Sequence, residues 1–224
     1  MNTPVMLKGH VYVGPDGTKL PAVTRILRIA GYLPDYTGID PRYAERGKKV
    51  HSLTELYDAE EIPFDDLLLF YPEYAGYITG WKKFRDTTGA VPVPEWMERM
   101  VYHPSMLFAG RLDRVMMFGE KAYVIDIKTG RGGNRTTLGT RCQMSAYWEL
   151  ARVNGAPPIV GAIAVRLPGD DTFKPDPISQ DFPKYLSGFM AALTCYRMRM
   201  EHGMMPVSLG PMDTDPDEDP EDWI

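Results

Sequence analysis

The chain has 224 residues, with 25 lysines and arginines against 30 aspartates and glutamates, a formal charge of −5, two cysteines and 44% hydrophobic residues. That length suits one large domain, or two at most, and buries enough surface to fold without disulfides or a structural metal. Cys142 and Cys195 are too few for a disulfide scaffold, a four-cysteine zinc site or an iron–sulfur cluster.

Residues 1–8 lack the apolar core of a signal peptide. The longest nearly apolar run, Ala156 to Val165, is about half of what spans a bilayer. The expectation is a soluble cytoplasmic protein with no membrane partner. An acidic total argues at first against a nucleic-acid partner, but the acids are unevenly placed. Asp213, Asp215, Asp217, Glu218, Asp219, Glu221 and Asp222 put seven acids into the last twelve residues, among Pro211, Pro216 and Pro220. Such a segment repels itself and reads as a disordered tail over residues 211–224. Without it, 25 bases face 23 acids, so the body, residues 1–210, is expected to be one mildly basic domain.

In chain order, residues 10–21 read as a short hairpin around Gly14-Pro15-Asp16-Gly17. Val23 to Ala30 reads as a helix with Thr24 as its cap. Arg42 to Glu60 is a second helix, with Val50, Leu53, Leu56 and Tyr57 on one face, and Tyr74 to Thr87 is a third, through Tyr77, Ile78, Trp81 and Phe84. Glu95 to His103 reads as extended. Gly110 to Phe118 and Lys121 to Lys128 are strands joined by Gly119-Glu120, a two-residue turn. The loop from Lys128 to Arg141 carries Lys128, Arg131, Arg135 and Arg141 and no acid, among four glycines. It reads either as a solvated surface loop or as a polyanion-binding one. A helix over Arg141 to Asn154, a buried strand over Ile159 to Leu167 and a long helix over Asp181 to His202 complete the body. The pattern predicts an α/β domain with a mixed β-sheet flanked by helices.

The hairpin fixes a register. With Gly119-Glu120 as the turn, residues whose numbers sum to 239 lie opposite, which sets Asp113 against Asp126. Lys128, two residues on, points to the same face as Asp126. Facing carboxylates are destabilising unless one pKa shifts or a cation sits between them, and oxygen ligands beside a lysine suit Mg²⁺. The bland alternative pairs Asp113 with Arg111 or Arg114, and Asp126 with Lys128, at the surface. His51 with Glu55, and Gln143 with Tyr147, are i,i+4 pairs on two helices.

In this order, His51 after Arg46-Gly47-Lys48-Lys49-Val50, Asp113 in Gly110-Arg111-Leu112-Asp113, Asp126 and Lys128 in Asp126-Ile127-Lys128-Thr129-Gly130, and Gln143 to Tyr147 resemble the PD-(D/E)XK nuclease superfamily. The closest likeness is to its RecB-type, phage lambda exonuclease-like branch. Glu98 falls where that branch often has an acid. The resemblance spans about residues 20–165; no proline precedes Asp113, and the second acid is Asp rather than Glu.

The resemblance implies a restriction-endonuclease-like core and metal-dependent hydrolysis of DNA, as an exonuclease on linear double-stranded DNA in phage recombination or repair within a bacterial cytoplasm. It implies Asp113, Asp126 and Lys128 as catalytic residues. His51, Asp113, Asp126 and the Ile127 carbonyl would hold Mg²⁺ or Mn²⁺, with Glu55, Glu98, Gln143 and Tyr147 in support and no iron–sulfur cluster. Lys48, Lys49, Arg111, Arg131, Arg135 and Arg141 would contact DNA. A structure-specific or nicking endonuclease, or a non-catalytic DNA-binding module of the same fold, are the alternatives. Partners would be duplex DNA with an end and a single-strand annealing or single-stranded-DNA-binding protein; self-association is compatible. The tail, which ends in Trp223-Ile224, is similar to the acidic tips of bacterial single-stranded-DNA-binding proteins, although a solubilising role is the preferred reading.

Overall fold

A computed structural model describes residues 4–7, 11–33, 40–131, 136–178 and 182–204. The acidic tail and Arg135 lie outside the described residues. The elements are β1 (Val5–Leu7), β2 (Val11–Val13), β3 (Lys19–Leu20), α1 (Val23–Ile29), α2 (Pro41–Asp58), α3 (Phe64–Phe70), α4 (Ala75–Thr88), β4 (Ala90–His103), β5 (Phe108–Phe118), β6 (Lys121–Thr129), α5 (Leu138–Val153), β7 (Ile159–Leu167), β8 (Lys174–Pro177) and α6 (Phe182–Glu201). A 3₁₀ turn, Pro72–Tyr74, links α3 to α4.

Five strands form the central sheet in the order β4-β5-β6-β7-β8. Only β6 and β7 run parallel, and α5 makes the crossover that a parallel pair requires. Strand β6 shows how the sequence divides the two faces. Ala122 and Val124 pack with Leu27, Phe108, Met144, Leu150, Phe189 and Leu193, under α1, α5 and α6. Ile125 and Ile127 pack with Val50, Trp81, Phe84 and Val165, under α2 and α4. Alternate residues thus meet different helical layers, as the two-residue period dictates. The result is the α/β core, with helices on both faces of a mixed sheet, that the sequence implies.

Both edge strands carry prolines that a central strand could not accept. Pro92 and Pro94 lie in β4, and Pro175 and Pro177 in β8, where one side of the strand has no ladder to complete. Strand β4 begins at Ala90, five residues before the expected start, and its register against β5 shifts between Pro92 and Met97. Strand β8 and helix α3 are additions to the sequence reading.

Two helix starts also differ from expectation. Thr24 does not cap α1: the cap position is Ala22, which has no side-chain cap bond, because Ala22 bridges to Ala109 and the Ala109 N–H donates to the Pro21 carbonyl at 3.0 Å. Helix α5 starts at Leu138, three residues earlier than Arg141, because the Thr137 hydroxyl accepts the Thr140 N–H at 3.2 Å. Gly188 costs α6 helical propensity, but a Cβ there would approach Cys142 Sγ at 2.9 Å, so the glycine permits α6 to lie close on α5. Among the described residues, no helix is long and apolar enough to cross a membrane.

Candidate active site

The β5–β6 hairpin turns at Gly119, whose φ of +61° is easy only for glycine, and Glu120. The ladder from Phe118↔Lys121 to Arg114↔Ile125 follows the register read from the sequence. It stops one pair short of Asp113 and Asp126. There the Asp113 carboxylate, not a strand carbonyl, accepts the Ile127 N–H at 2.7 Å. The side chain therefore ends the ladder, opens the strands and is itself fixed by them.

Asp126 and Lys128 continue the face begun by Ala122 and Val124, at the carboxyl end of a parallel strand, where open α/β sheets place their sites. Both are buried, and Lys128 Nζ lies 3.3 Å from Asp126 Oδ2. It also donates to Gln143 Oε1 at 3.3 Å, and the Gln143 amide donates in turn to the Tyr147 hydroxyl at 3.4 Å. Burial pushes the Tyr147 pKa well above its usual value, so this wall stays neutral. Gly110 lets Tyr147 in, since a Cβ at that position would lie 2.7 Å from the ring.

From the other side, α2 delivers His51. Its Nε2 pairs with the Ile127 carbonyl at 3.1 Å, and its Nδ1 faces Glu98 Oε1 at 3.5 Å and Asp113 Oδ2 at 3.6 Å. Donor atoms of His51, Glu98 and Asp113 all lie within 4.8 Å of one another. His51 and Asp113, with Asp126, Ile127, Lys128, Arg111, Gln143 and Tyr147, line one cleft of about 520 Å³, open solvent at its mouth included; Tyr12, Ala22, Val23 and Thr24 line it as well. Glu55, one turn beyond His51, lies close enough to Glu98 that burial and this acid together raise its pKa.

Arg114 organises the floor of the site. Its side chain is fully buried. It donates to Asp58 Oδ2 at 3.0 Å, Glu98 Oε1 at 2.7 Å, the Asp113 carbonyl at 2.7 Å, the His51 carbonyl at 3.4 Å and Thr54 Oγ1 at 3.1 Å. Asp58, equally buried, also accepts from Trp81 Nε1 and Arg85 Nη1, each at 2.9 Å. One guanidinium thus ties α2, β4 and β5 together behind the cleft. The sequence reading considered Arg114 only as a surface partner of Asp113 and passed over Asp58. The available signal was helical spacing: Asp58 is seven residues from His51, on the same face of α2.

Charge in the cleft is unbalanced. Burial pushes the Asp113 pKa up to about 7; the His51 imidazolium opposes this, and the Asp126 and Glu98 carboxylates add to it. Burial works against protonating His51, but Asp113 and Glu98 prevail and raise its pKa to about 9. Burial likewise opposes ionising Glu98, but His51, Arg114 and Arg111 hold its pKa down at about 2. Asp126 Oδ2 is buried and has no hydrogen-bond partner among the described residues. Three crowded carboxylates, one of them pushed toward neutrality and another with a buried oxygen that faces Lys128 but accepts no hydrogen bond among the described residues, fit a divalent cation with oxygen ligands. Glu98 is less open to such an ion than Asp126, because Arg114 and Arg111 already occupy its two oxygens at 2.7 and 3.2 Å.

A pH dependence follows for cation binding. A metal must displace the protons that Asp113 holds below about pH 7 and His51 below about pH 9, so affinity rises with pH. Calorimetric titration with Mn²⁺ should show binding at least roughly tenfold tighter at pH 8 than at pH 6, with proton release visible as a buffer-dependent heat. Affinity independent of pH would contradict this.

The proposed DNA-contacting residues are dispersed. Lys48 is exposed on α2; Arg111 pairs with Glu98; Arg131 is exposed just beyond β6. Arg141 instead donates to Asp176 at 3.0 Å, and this carboxylate also accepts the Thr136 N–H at 2.7 Å. That contact clamps the start of α5 to β8.

A family model described as the PD-(D/E)XK nuclease superfamily matches residues 65–194, a span that takes in Glu98, Asp113, Asp126, Lys128, Gln143 and Tyr147 but not His51. Among solved structures, an alkaline exonuclease from Laribacter hongkongensis is similar at 14% identity over 56% of this chain and 68% of that one, with a TM-score of 0.36. None of the curated proteins matches the chain. With the family model covering more than half of its length, the protein belongs to the PD-(D/E)XK nuclease superfamily.

Proposed function

We propose that the protein is a divalent-cation-dependent deoxyribonuclease that degrades linear duplex DNA from an end. The observation that carries the reading is the convergence of Asp113, Asp126 and Lys128 on one cleft, with His51 closing it from α2. Asp113, Asp126 and the Ile127 carbonyl would hold Mg²⁺ or Mn²⁺, with His51 beside them. Such an ion lowers the pKa of a bound water and offsets charge that develops on phosphate oxygens.

The chain's own groups supply the rest. Lys128, held between Asp126 and Gln143, is placed to orient the attacking water and to stabilise negative charge as the phosphodiester opens. Gln143 fixes the ammonium, and Tyr147 fixes Gln143. Glu98, anchored by Arg114 and Arg111, keeps the His51 ring in place. Lys48, Lys49, Arg111, Arg131 and Arg135 would hold phosphates, so affinity should fall steeply with salt. Action at an end is favoured by the walls of the cleft: Tyr12, Ala22, Val23 and Thr24 line it together with His51, and a terminus enters such a space more easily than the middle of a duplex.

The test compares end-labelled linear duplex with covalently closed circular DNA in the presence of Mg²⁺. Early release of the label from the linear substrate, an intact circle, and no cleavage in EDTA are expected. A nicked or linearised circle would overturn the exonuclease assignment, and cleavage in EDTA the metal dependence.

A further inference from the structure

Beside the cleft, α2 presents a strip of which only Lys49 has a role in the chemistry above. The Arg46 guanidinium lies over the Tyr43 ring, 5.0 Å from its centre, and near the Tyr77 ring at 5.9 Å. One turn on, the Lys49 ammonium sits 4.1 Å from the centre of the Tyr71 ring. Tyr43 is half exposed, and Tyr71 and Tyr77 are partly exposed. Two cations from one helix are thus interleaved with tyrosines from α2, from the approach to the 3₁₀ turn and from α4. Among the described residues, neither cation is paired with a carboxylate.

The strip adjoins the end of β6. A Cβ at Gly130, two residues past Lys128, would lie 3.2 Å from Arg46 Nη2. Two buried polar atoms in this corner, Arg46 Nε and Thr129 Oγ1, have no hydrogen-bond partner among the described residues. Buried polar atoms are normally satisfied, so unmatched ones next to an open surface point to a ligand. Lys48 and Arg131, both exposed, add positive charge at its margins.

Ring faces alternating with cations match an unpaired polynucleotide: bases stack on the rings and phosphates meet the cations. A duplex keeps its base faces inside its own stack and offers only phosphates. We propose that Tyr43, Arg46, Lys49, Tyr71 and Tyr77 form a binding track for single-stranded DNA that meets the end of β6 at Gly130, two residues past Lys128. The proposal rests on reading that cleft as a nuclease site, and it makes the track the seat of a strand separated from its complement at the site.

The experiment measures fluorescence anisotropy of labelled oligothymidine and of a blunt duplex, both in EDTA, with the full-length protein. Tyr43→Ala and Tyr71→Ala should each weaken oligothymidine binding roughly tenfold, as expected for losing one stacked base, and change duplex affinity less than about twofold. Tyr43→Phe, which keeps the ring, should bind like the parent. Unchanged oligothymidine affinity in both alanine variants, or an equal loss on duplex, would overturn the proposal. Because binding in EDTA is read without any cleavage step, loss through the tyrosines in a protein that fails to cut DNA with Mg²⁺ would sink only the nuclease reading. A protein that cuts duplex but ignores the tyrosine changes would sink only the track.

Discussion

Lys128→Met is expected to lower the rate of DNA cleavage by about 10³-fold while leaving DNA binding and the folded state in place. Methionine matches lysine closely in length and in its unbranched stem, so the buried position stays filled. What is lost is an ammonium 3.3 Å from both Asp126 Oδ2 and Gln143 Oε1. Removing one preorganised donor from a site where charge develops costs about 10²–10³ in rate, and removing a group that also handles the water proton adds to that. Asp126→Asn should be at least as damaging, since it removes a charge that the cation requires without changing the shape of the side chain. Single-turnover cleavage of a labelled duplex, alongside anisotropy for binding, separates chemistry from affinity. Near-parental rates in both variants would show that the hairpin end is not where the chemistry happens.

The second large effect is on stability. Asp58→Ala should destabilise the protein by about 3–5 kcal/mol, the usual cost of removing one partner from a buried charged network. Asp58 is fully buried and compensates Arg114, itself fully buried, together with Arg85. Without it a guanidinium remains in the core short of one carboxylate, and Trp81 Nε1 loses its acceptor. In a chain of this size the loss corresponds to a fall of roughly 10 °C in Tm. The same network holds the carbonyls of His51 and Asp113 and the Glu98 carboxylate, so activity should fall before the protein unfolds. A change under about 1 kcal/mol in denaturant unfolding would mean that the network is not carrying this load.

The hairpin was the most legible part of the sequence, because a two-residue turn at Gly119-Glu120 leaves only one register, and Asp113, Asp126 and Lys128 followed from counting. The long helices were legible for a similar reason: apolar spacing marks the buried face whatever it packs against. Strand β8 and the first half of β4 were not, since their prolines argue against strands unless the edge position is already known. Helix α3 was hidden because Leu67, Leu68, Leu69 and Phe70 form an unbroken apolar run with no helical spacing, and only Leu67 is buried. Arg114 was misjudged for a deeper reason. Nothing in the local sequence says that an arginine next to a site acid points into the core; only the approach of Asp58, from a helix more than fifty residues earlier, makes that burial tolerable. Arg141 shows the converse, a basic residue in a suggestive loop whose partner, Asp176, is set by the fold.

The proposed chemistry depends on a divalent cation held jointly by Asp113 and Asp126. Crystals grown with Mn²⁺ and measured at a wavelength where manganese scatters anomalously give the most direct answer. A peak is expected within bonding distance of Asp113 and Asp126, next to the Ile127 carbonyl and His51. A peak held by Glu98 and His51 without Asp126, or no peak in the cleft at a saturating concentration, would contradict it.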